Sequence, residues 1–325
     1  MCTSIAMTTQ DFYFGRTMDL NYELNTNVVI TPRNFPFPFR KTKPMNEHFA
    51  LLGMAAIAEG FPLYAEAVNE KGLCIAGLNF PDQAFYPEEE SPDKTNISPF
   101  ELPQWILGQC ATVAEAEQLL SNTHLINLPF SRQIPLSPLH WHIADRERSL
   151  AVESTRDGFF VHEDPAGVLT NNPAFPFQMT NLCQYMNLIS GCPKNCFSDL
   201  SGIQPFGQGL GSFGLPGDFS PASRFVRASY LKLNSICMPD EESSVSQFFH
   251  LLGSVAVPRG SVITSEENCS ITTYSSCINA SKGIYYYRTY SNQQLTAIDM
   301  RKESLDTKKL KIFPLLRTQQ ITWMN

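Results

Sequence analysis

Short apolar runs broken by Gly, Pro and Asn recur at the start, middle and end of this chain, with helical stretches between them. That alternation limits the fold more than any other feature, because every strand needs partners and every sheet needs a covered face. The first strands are expected at Cys2–Met7 and Phe12–Met18, flanking the polar turn Thr8-Thr9-Gln10-Asp11. Asn27–Thr31, Phe49–Ala56 and Leu73–Leu78 continue the series. Ser98-Pro99-Phe100-Glu101 then has the spacing of a capping box with Pro at the first helical position. Thr112-Val113-Ala114-Glu115 repeats the pattern before a short amphipathic helix through Leu120.

Strands return at Leu139–Ile143, Ser149–Glu153 and Gly158–His162. Helices are expected at Phe177–Leu188, Pro221–Leu233 (capped by Ser220) and Val245–Leu252. A closing meander is expected at Ser270–Ser275, Gly283–Thr289 and Leu295–Ile298. This order predicts an α+β fold with helices layered on stacked sheets. With no repeat and no clean boundary, residues 2–325 read as one domain. A Gly-rich excursion at about 191–218, carrying Gly202, Gly207, Gly209, Gly211, Gly214 and Gly217 among Phe and Pro, is expected to pack on another surface, as in assembly, or to form a substrate loop.

Composition narrows the function classes. A net charge of -7 with no Lys/Arg cluster argues against nucleic acid as a partner. No apolar run approaches the ~18 residues that membrane insertion requires. The N-terminus lacks the basic and apolar segments of a secretory signal. The 9 cysteines are odd in number and scattered, unlike a disulfide framework. A cytoplasmic protein is expected, with no metal and no cofactor. Cys192 and Cys196 have no second ligand pair at finger spacing. His140 and His142 alternate on one strand face without a third ligand nearby, so they are expected to be packed or hydrogen-bonded.

Cys2 carries the chemistry. Removal of Met1 before so small a residue would leave a thiol and a free α-amine on one residue. An α-amine with a pKa of ~7.7–8.0 can accept the proton of a thiol whose reference is ~8.5, so one residue supplies nucleophile and base. By position alone Cys2 is an ordinary buried thiol. The second strand supplies context: in Phe14-Gly15-Arg16-Thr17-Met18-Asp19, Arg16 can hold a thiolate and Asp19 an ammonium, beside a turn that returns the chain to Cys2. Without Cys2 opposite, the same pair would read as a surface ion pair.

Met1-Cys2-Thr3, Phe14-Gly15-Arg16-Thr17-Met18-Asp19 and Gly77-Leu78-Asn79-Phe80-Pro81 resemble the choloylglycine hydrolase family. So do Leu169-Thr170-Asn171-Asn172-Pro173, Gly214-Leu215-Pro216-Gly217-Asp218 and Ser223-Arg224-Phe225. The family holds bile salt hydrolases and penicillin V acylases, and Asn79 favours the bile-salt side. The resemblance implies a four-layer αββα N-terminal-nucleophile fold, processing that exposes Cys2, and a homotetramer. The implied activity is hydrolysis of the amide bond in glycine- or taurine-conjugated bile salts through a thioester, with penicillin V acylase as the alternative.

Residue by residue, the resemblance implies that Cys2 is the nucleophile, Arg16 faces the thiol and Asp19 orients the amine. The Asn79 backbone N–H and the Asn171 side-chain amide fall on the oxyanion hole, with Arg224 as the supporting charge. Asn171 is preferred over Asn172 because it directly follows Leu169-Thr170. Such donors are required because an amide tetrahedral intermediate places a full charge on oxygen, and one donor is worth about 2.7–4 kcal/mol. Met18, Leu20, Phe61 and Ile134 are expected to supply apolar walls for a steroid, Met18 above all. Two positions depart from the family pattern: Asp82 stands where Gly is usual, and Cys74 also replaces a common Gly, where it is expected to be packed. A glutamine amidotransferase would more often open Met-Cys-Gly, whereas Thr3 follows here. A plain binding protein would show no turnover and no loss of binding on Cys2→Ala.

Overall fold

The turn expected after Thr8 forms: the Thr9 N–H donates to the Asp11 carbonyl at 2.9 Å. The chain doubles back with Cys2 opposite Met18 and Ser4 opposite Arg16. The computed structural model describes residues 1–22, 24–200 and 202–325. The hairpin strands are β1 (Cys2–Thr8) and β2 (Phe12–Leu20). Next come β3 (Thr26–Thr31), β4 (Leu51–Ala58), β5 (Phe61–Asn69), β6 (Cys74–Asn79) and β7 (Thr95–Ile97). Helices α1 (Leu102–Gln109) and α2 (Val113–Ser121) follow. The middle strands are β8 (Thr123–Leu125), β9 (Leu139–Ala144), β10 (Ser149–Thr155), β11 (Gly158–Glu163) and β12 (Val168–Leu169). After α3 (Phe175–Leu182), α4 (Pro221–Leu233) and α5 (Glu241–Gly253), the chain closes with β13 (Ile271–Asn279), β14 (Ile284–Thr289), β15 (Thr296–Asp299) and β16 (Lys311–Pro314).

Two antiparallel sheets result. One runs β12-β1-β2-β13-β14-β15 and the other β11-β10-β9-β6-β5-β4-β3-β16, while β7 and β8 make a small parallel pair. Period-two patterning decides which side chains each layer receives. In β4, Leu52 and Met54 join the core that includes the gap between the sheets, whereas Leu51 and Ala55 join the core under α1 and α2. In β6 the same split puts Cys74, Ala76 and Leu78 on the inner side and Ile75 on the outer. Ile106, Val113 and Leu120 cover the larger sheet, and Phe225, Phe248 and Leu252 cover the smaller. Each such fully buried side chain contributes about 1.5–3 kcal/mol relative to exposure. The layers are therefore helix, sheet, sheet, helix. Cys74 is fully buried, as expected.

Local signals predicted several boundaries well. Thr112 Oγ1 accepts the Glu115 N–H at 3.2 Å to cap α2, and α4 starts at Pro221 after Ser220. The Ser98 capping box forms but opens a short 3₁₀ turn, with α1 beginning only at Leu102. The helix expected over Phe177–Leu188 runs instead from Phe175 to Leu182, followed by a 3₁₀ turn over Cys183–Tyr185. Strand β5 was not expected, and Pro62 within it argues against an interior strand. The register explains its tolerance: β6 pairs only with Glu66–Val68, so Pro62 lies where β5 has one neighbour alone. Strands β7, β8, β12 and β16, each two to four residues long, were also missed. The Gly-rich excursion is largely exposed; its described residues contain only a 3₁₀ turn at Leu210–Ser212 and present Phe197, Phe206 and Phe213 to solvent.

Candidate active site

Strand β1 begins at Cys2, whose side chain is buried against the inner core. Because Ser4 faces Arg16 across the hairpin and β-strand side chains alternate, Cys2, Ser4, Arg16 and Met18 point into the gap between the sheets. Arg16 is wholly buried there. Its Nη1 donates to the Ala65 carbonyl at 3.3 Å and to the Gly77 carbonyl, and its Nε donates to the Thr17 carbonyl at 3.3 Å. Burial disfavours its charge, yet the Cys2 thiol, Tyr274, Glu66 and Asp19 outweigh that and hold the guanidinium protonated beyond its ordinary range.

Arg224, on the first turns of α4, joins the distant parts of the site. Its Nη1 donates to the Cys2 carbonyl at 2.5 Å and to Thr3 Oγ1 at 2.6 Å, and its Nη2 donates to Asn171 Oδ1 at 2.6 Å. Burial pulls its pKa down, with Asp19 and Cys2 opposing. Asn171 follows β12, which pairs with β1 and so brings the amide to Cys2. Its Oδ1 accepts the Cys2 N–H at 2.9 Å, and its Nδ2 donates to the Asn79 carbonyl at 2.6 Å. An amide nitrogen carries two donors, so one remains for another acceptor. Asn172 points elsewhere, donating to the Pro81 carbonyl at 2.5 Å.

Met1 is attached to Cys2, and Asp19 brackets it with backbone groups. The Asp19 N–H donates to the Met1 carbonyl at 3.0 Å, and the Met1 ammonium donates to the Asp19 carbonyl at 2.8 Å. The Asp19 carboxylate is held by Thr272 Oγ1 at 2.6 Å and Thr17 Oγ1 at 3.3 Å. The six residues assigned to catalysis from the sequence thus meet around the start of β1, although they come from β1, β2, the end of β6, the segment after β12, and α4. Asp82, in the loop after Asn79, adopts φ +62°, the left-handed region that Gly enters freely and Asp tolerates.

The apolar residues divide. Met18 and Leu20 line a cleft of about 190 Å³ with Tyr22, Leu24, Ile271 and Tyr274. Ile134 lies partly exposed in the loop before β9, its N–H directed to Ser131. Phe61 is elsewhere: its ring packs with Phe37 and Phe100 (centroids 5.9 Å) and Phe130 (6.1 Å) in the core under α1.

Three polar positions near the site escaped the sequence reading. Glu66 is fully buried with its Oε2 3.9 Å from Arg16 Nε. Thr17 and Thr272 grip Asp19. The signal for Glu66 was present: a carboxylate amid Tyr64-Ala65-Glu66-Ala67-Val68 is rarely buried without a partner. His140 stacks on Phe80 at 4.2 Å, and its ring nitrogens lie 3.0 Å from the Glu153 carboxylate and 3.0 Å from the Thr170 carbonyl, beside Asn171. His142 lies between Ser4 and Ser149.

Residues 2–313 match the model of the linear amide C–N hydrolases, choloylglycine hydrolase family. The chain is 46% identical over 325 residues to the bile salt hydrolase/transferase of Lactiplantibacillus plantarum, covering 100% of both. Its backbone superposes on a variant of conjugated bile acid hydrolase from Clostridium perfringens with a TM-score of 0.91 at 39% identity, again covering 100% of both chains. A penicillin V acylase from Agrobacterium tumefaciens, at 20% identity and a TM-score of 0.76 over 96% of this chain and 90% of that one, shares the fold. The αββα N-terminal-nucleophile architecture that the motifs imply is the one observed, and the chain belongs to the choloylglycine hydrolase family of linear amide C–N hydrolases.

Proposed function

We propose that this protein hydrolyses the amide bond of glycine- or taurine-conjugated bile salts, with Cys2 as nucleophile once Met1 has been removed. The observation that carries the proposal is the convergence of Asn171 and Arg224 on Cys2, with Arg16 on the neighbouring strand pointing into the same gap, in a chain that matches a bile salt hydrolase from end to end. The α-amine takes the thiol proton as Sγ attacks the amide carbon. Charge develops on the carbonyl oxygen, to which the free Asn171 donor and the Asn79 backbone N–H are assigned. Collapse breaks the C–N bond, and the α-ammonium returns the proton to the departing glycine or taurine nitrogen. Water then cleaves the thioester, regenerating the thiol and releasing the bile acid. Arg16 favours the thiolate, Asp19 orients the amine, and Arg224 secures the strand end and Asn171 together.

Met18, Leu20, Phe61 and Ile134 are the proposed apolar wall, Met18 and Leu20 from the cleft and Phe61 beside Phe130, a few residues before Ile134. We place the protein in the cytoplasm, a reading supported by its nine free cysteines. The assembly proposed is a homotetramer, with the 191–218 excursion contributing to its contacts. The test is release of glycine from glycocholate by the processed enzyme, abolished in Cys2→Ser, since a hydroxyl stays protonated where a thiol does not. Faster cleavage of phenoxymethylpenicillin than of glycocholate would overturn the substrate and leave the nucleophile in place.

A further inference from the structure

Arg16 directs its hydrogen bonds to neutral acceptors: the carbonyls of Thr17, Ala65 and Gly77, and the Met18 sulfur at 3.6 Å. None of these counters its charge. The carboxylate paired with it is Glu66, which reaches in from β5 of the opposite sheet, and both side chains are fully buried. Glu66 is itself held by three hydroxyls from the smaller sheet. Oε1 accepts from Ser276 Oγ at 3.0 Å and Tyr285 OH at 2.5 Å, and Oε2 accepts from Tyr274 OH at 2.8 Å. Ser276 lies opposite Arg16 in the β2–β13 register, and Tyr287, beside Tyr285 on β14, lies opposite Ser276. The arrangement is therefore a cross-sheet tie with a cation at its centre, between one fixed carboxylate and the Cys2 thiol.

In a buried, low-dielectric layer a charge is felt at several ångströms, so the pull of Arg16 on Cys2 depends on what else it faces. Resting on the reading of Cys2 as nucleophile, we propose that Glu66 is a positioning residue for the reaction. Its carboxylate, locked by Tyr274, Ser276 and Tyr285, keeps the guanidinium in place and tempers how strongly it stabilises the Cys2 thiolate. Burial pushes the Glu66 carboxyl up, against Arg16 and the three hydroxyls, which favour its ionised form. A residue that only filled space between the sheets would leave the ionisation of Cys2 unchanged when its charge was removed with its shape kept.

Glu66→Gln keeps the shape and removes the charge. In the processed enzyme, the rate of Cys2 alkylation by iodoacetamide, followed against pH with peptide mapping, should show its midpoint shifted to lower pH by about one unit, the scale of a nearby like charge. Glu66→Asp should restore most of the parent midpoint. Tyr285→Phe, which weakens the hold on the carboxylate without removing it, should shift the midpoint the same way by less. Thermal melts identify folded variants, and Tyr285→Phe decides the matter if Glu66→Gln does not fold. An unchanged midpoint in a folded Glu66→Gln, or a shift to higher pH, overturns the role of Glu66. Parent enzyme alkylated elsewhere than Cys2, or turnover retained in Cys2→Ser, overturns instead the reading of Cys2 on which the proposal rests.

Discussion

Asn171 and Asn172 are adjacent in sequence and opposite in use. Asn171 spends its oxygen on the Cys2 N–H and Arg224 and turns its nitrogen to Asn79, whereas Asn172 ties the segment to the Pro81 carbonyl. An oxyanion donor acts mainly in the transition state, so Asn171→Ala should lower kcat by about a hundredfold or more with little change in KM. Asn172→Ala should affect kcat much less and lower the melting temperature, because it loses a loop-to-loop hydrogen bond. Steady-state kinetics and melts on both variants separate these outcomes, and a folded, inactive Asn172→Ala would reverse the assignment. At the same scale, the cage around Met1 carries a second expectation. Its ammonium is held by the Asp19 carbonyl, and the Cys2 nitrogen is a peptide amide with no basic lone pair. Protein that retains Met1 quantitatively by mass spectrometry should fold and show no turnover.

Strands β9 and β12 meet through a buried chain of polar groups whose ionisation bears on stability. His142 contacts Ser4 through Nδ1 and Ser149 Oγ through Nε2 at 2.6 Å, and Asp164 Oδ2 lies 3.5 Å from Nε2. Asp164 also accepts the N–H groups of Gly167 and Val168, each at 2.9 Å, and so shapes the turn into β12. Burial, with Lys232 and His140 nearby, drives the His142 pKa down to about 3. Burial pushes Asp164 up to about 7 against Lys232, the two N–H groups and Ser149. Between the folded value of about 3 and the ordinary ~6.5, the unfolded chain protonates His142 and the folded chain does not, so that contribution falls as pH falls. Between ~3.9 and about 7 the folded chain protonates Asp164 and the unfolded chain does not, so this contribution rises as pH falls. The slopes oppose each other. Relative to the parent, melting temperature across pH 4–6.5 should thus rise toward acid in His142→Asn and fall toward acid in Asp164→Asn. Parallel profiles in all three would show that this pair does not govern the acid response.

On the scale of the whole molecule, the 191–218 excursion sets the expected assembly. Phe197, Phe206 and Phe213 are 89%, 93% and 79% exposed, and Met186 and Leu200 lie near in sequence with most of their surface in solvent. Rings left this open in an isolated chain favour burial on association. Light scattering coupled to size exclusion should report a tetramer for the parent and smaller species for Phe206→Ser combined with Phe213→Ser, with the melting temperature of each chain little changed. A monomeric parent at micromolar concentration would remove the proposed role of the excursion.

Much of the local architecture follows from patterns a few residues long. Apolar alternation located β1, β2 and β6, caps at Thr112 and Ser220 located α2 and α4, and the turn after Thr8 placed Arg16 and Asp19 on the strand beside Cys2. These are legible because hairpin register and helix capping are settled by neighbours in the chain. The motif resemblance added Asn79, Asn171 and Arg224, but not how they meet. Cys2 and Asn171 are 169 residues apart, and Cys2 and Arg224 are 222 apart. Their contact depends on β12 joining the edge of β1 and on α4 crossing that edge. Likewise β13 pairs with β2, setting Thr272 beside Asp19 and Ser276 beside Arg16, and the stacking of β5 across the gap brings in Glu66. A strand carries its period and its faces in its own residues; which strand lies beside it, and which carboxylate faces it from the next layer, is decided only when the sheets close on their shared core.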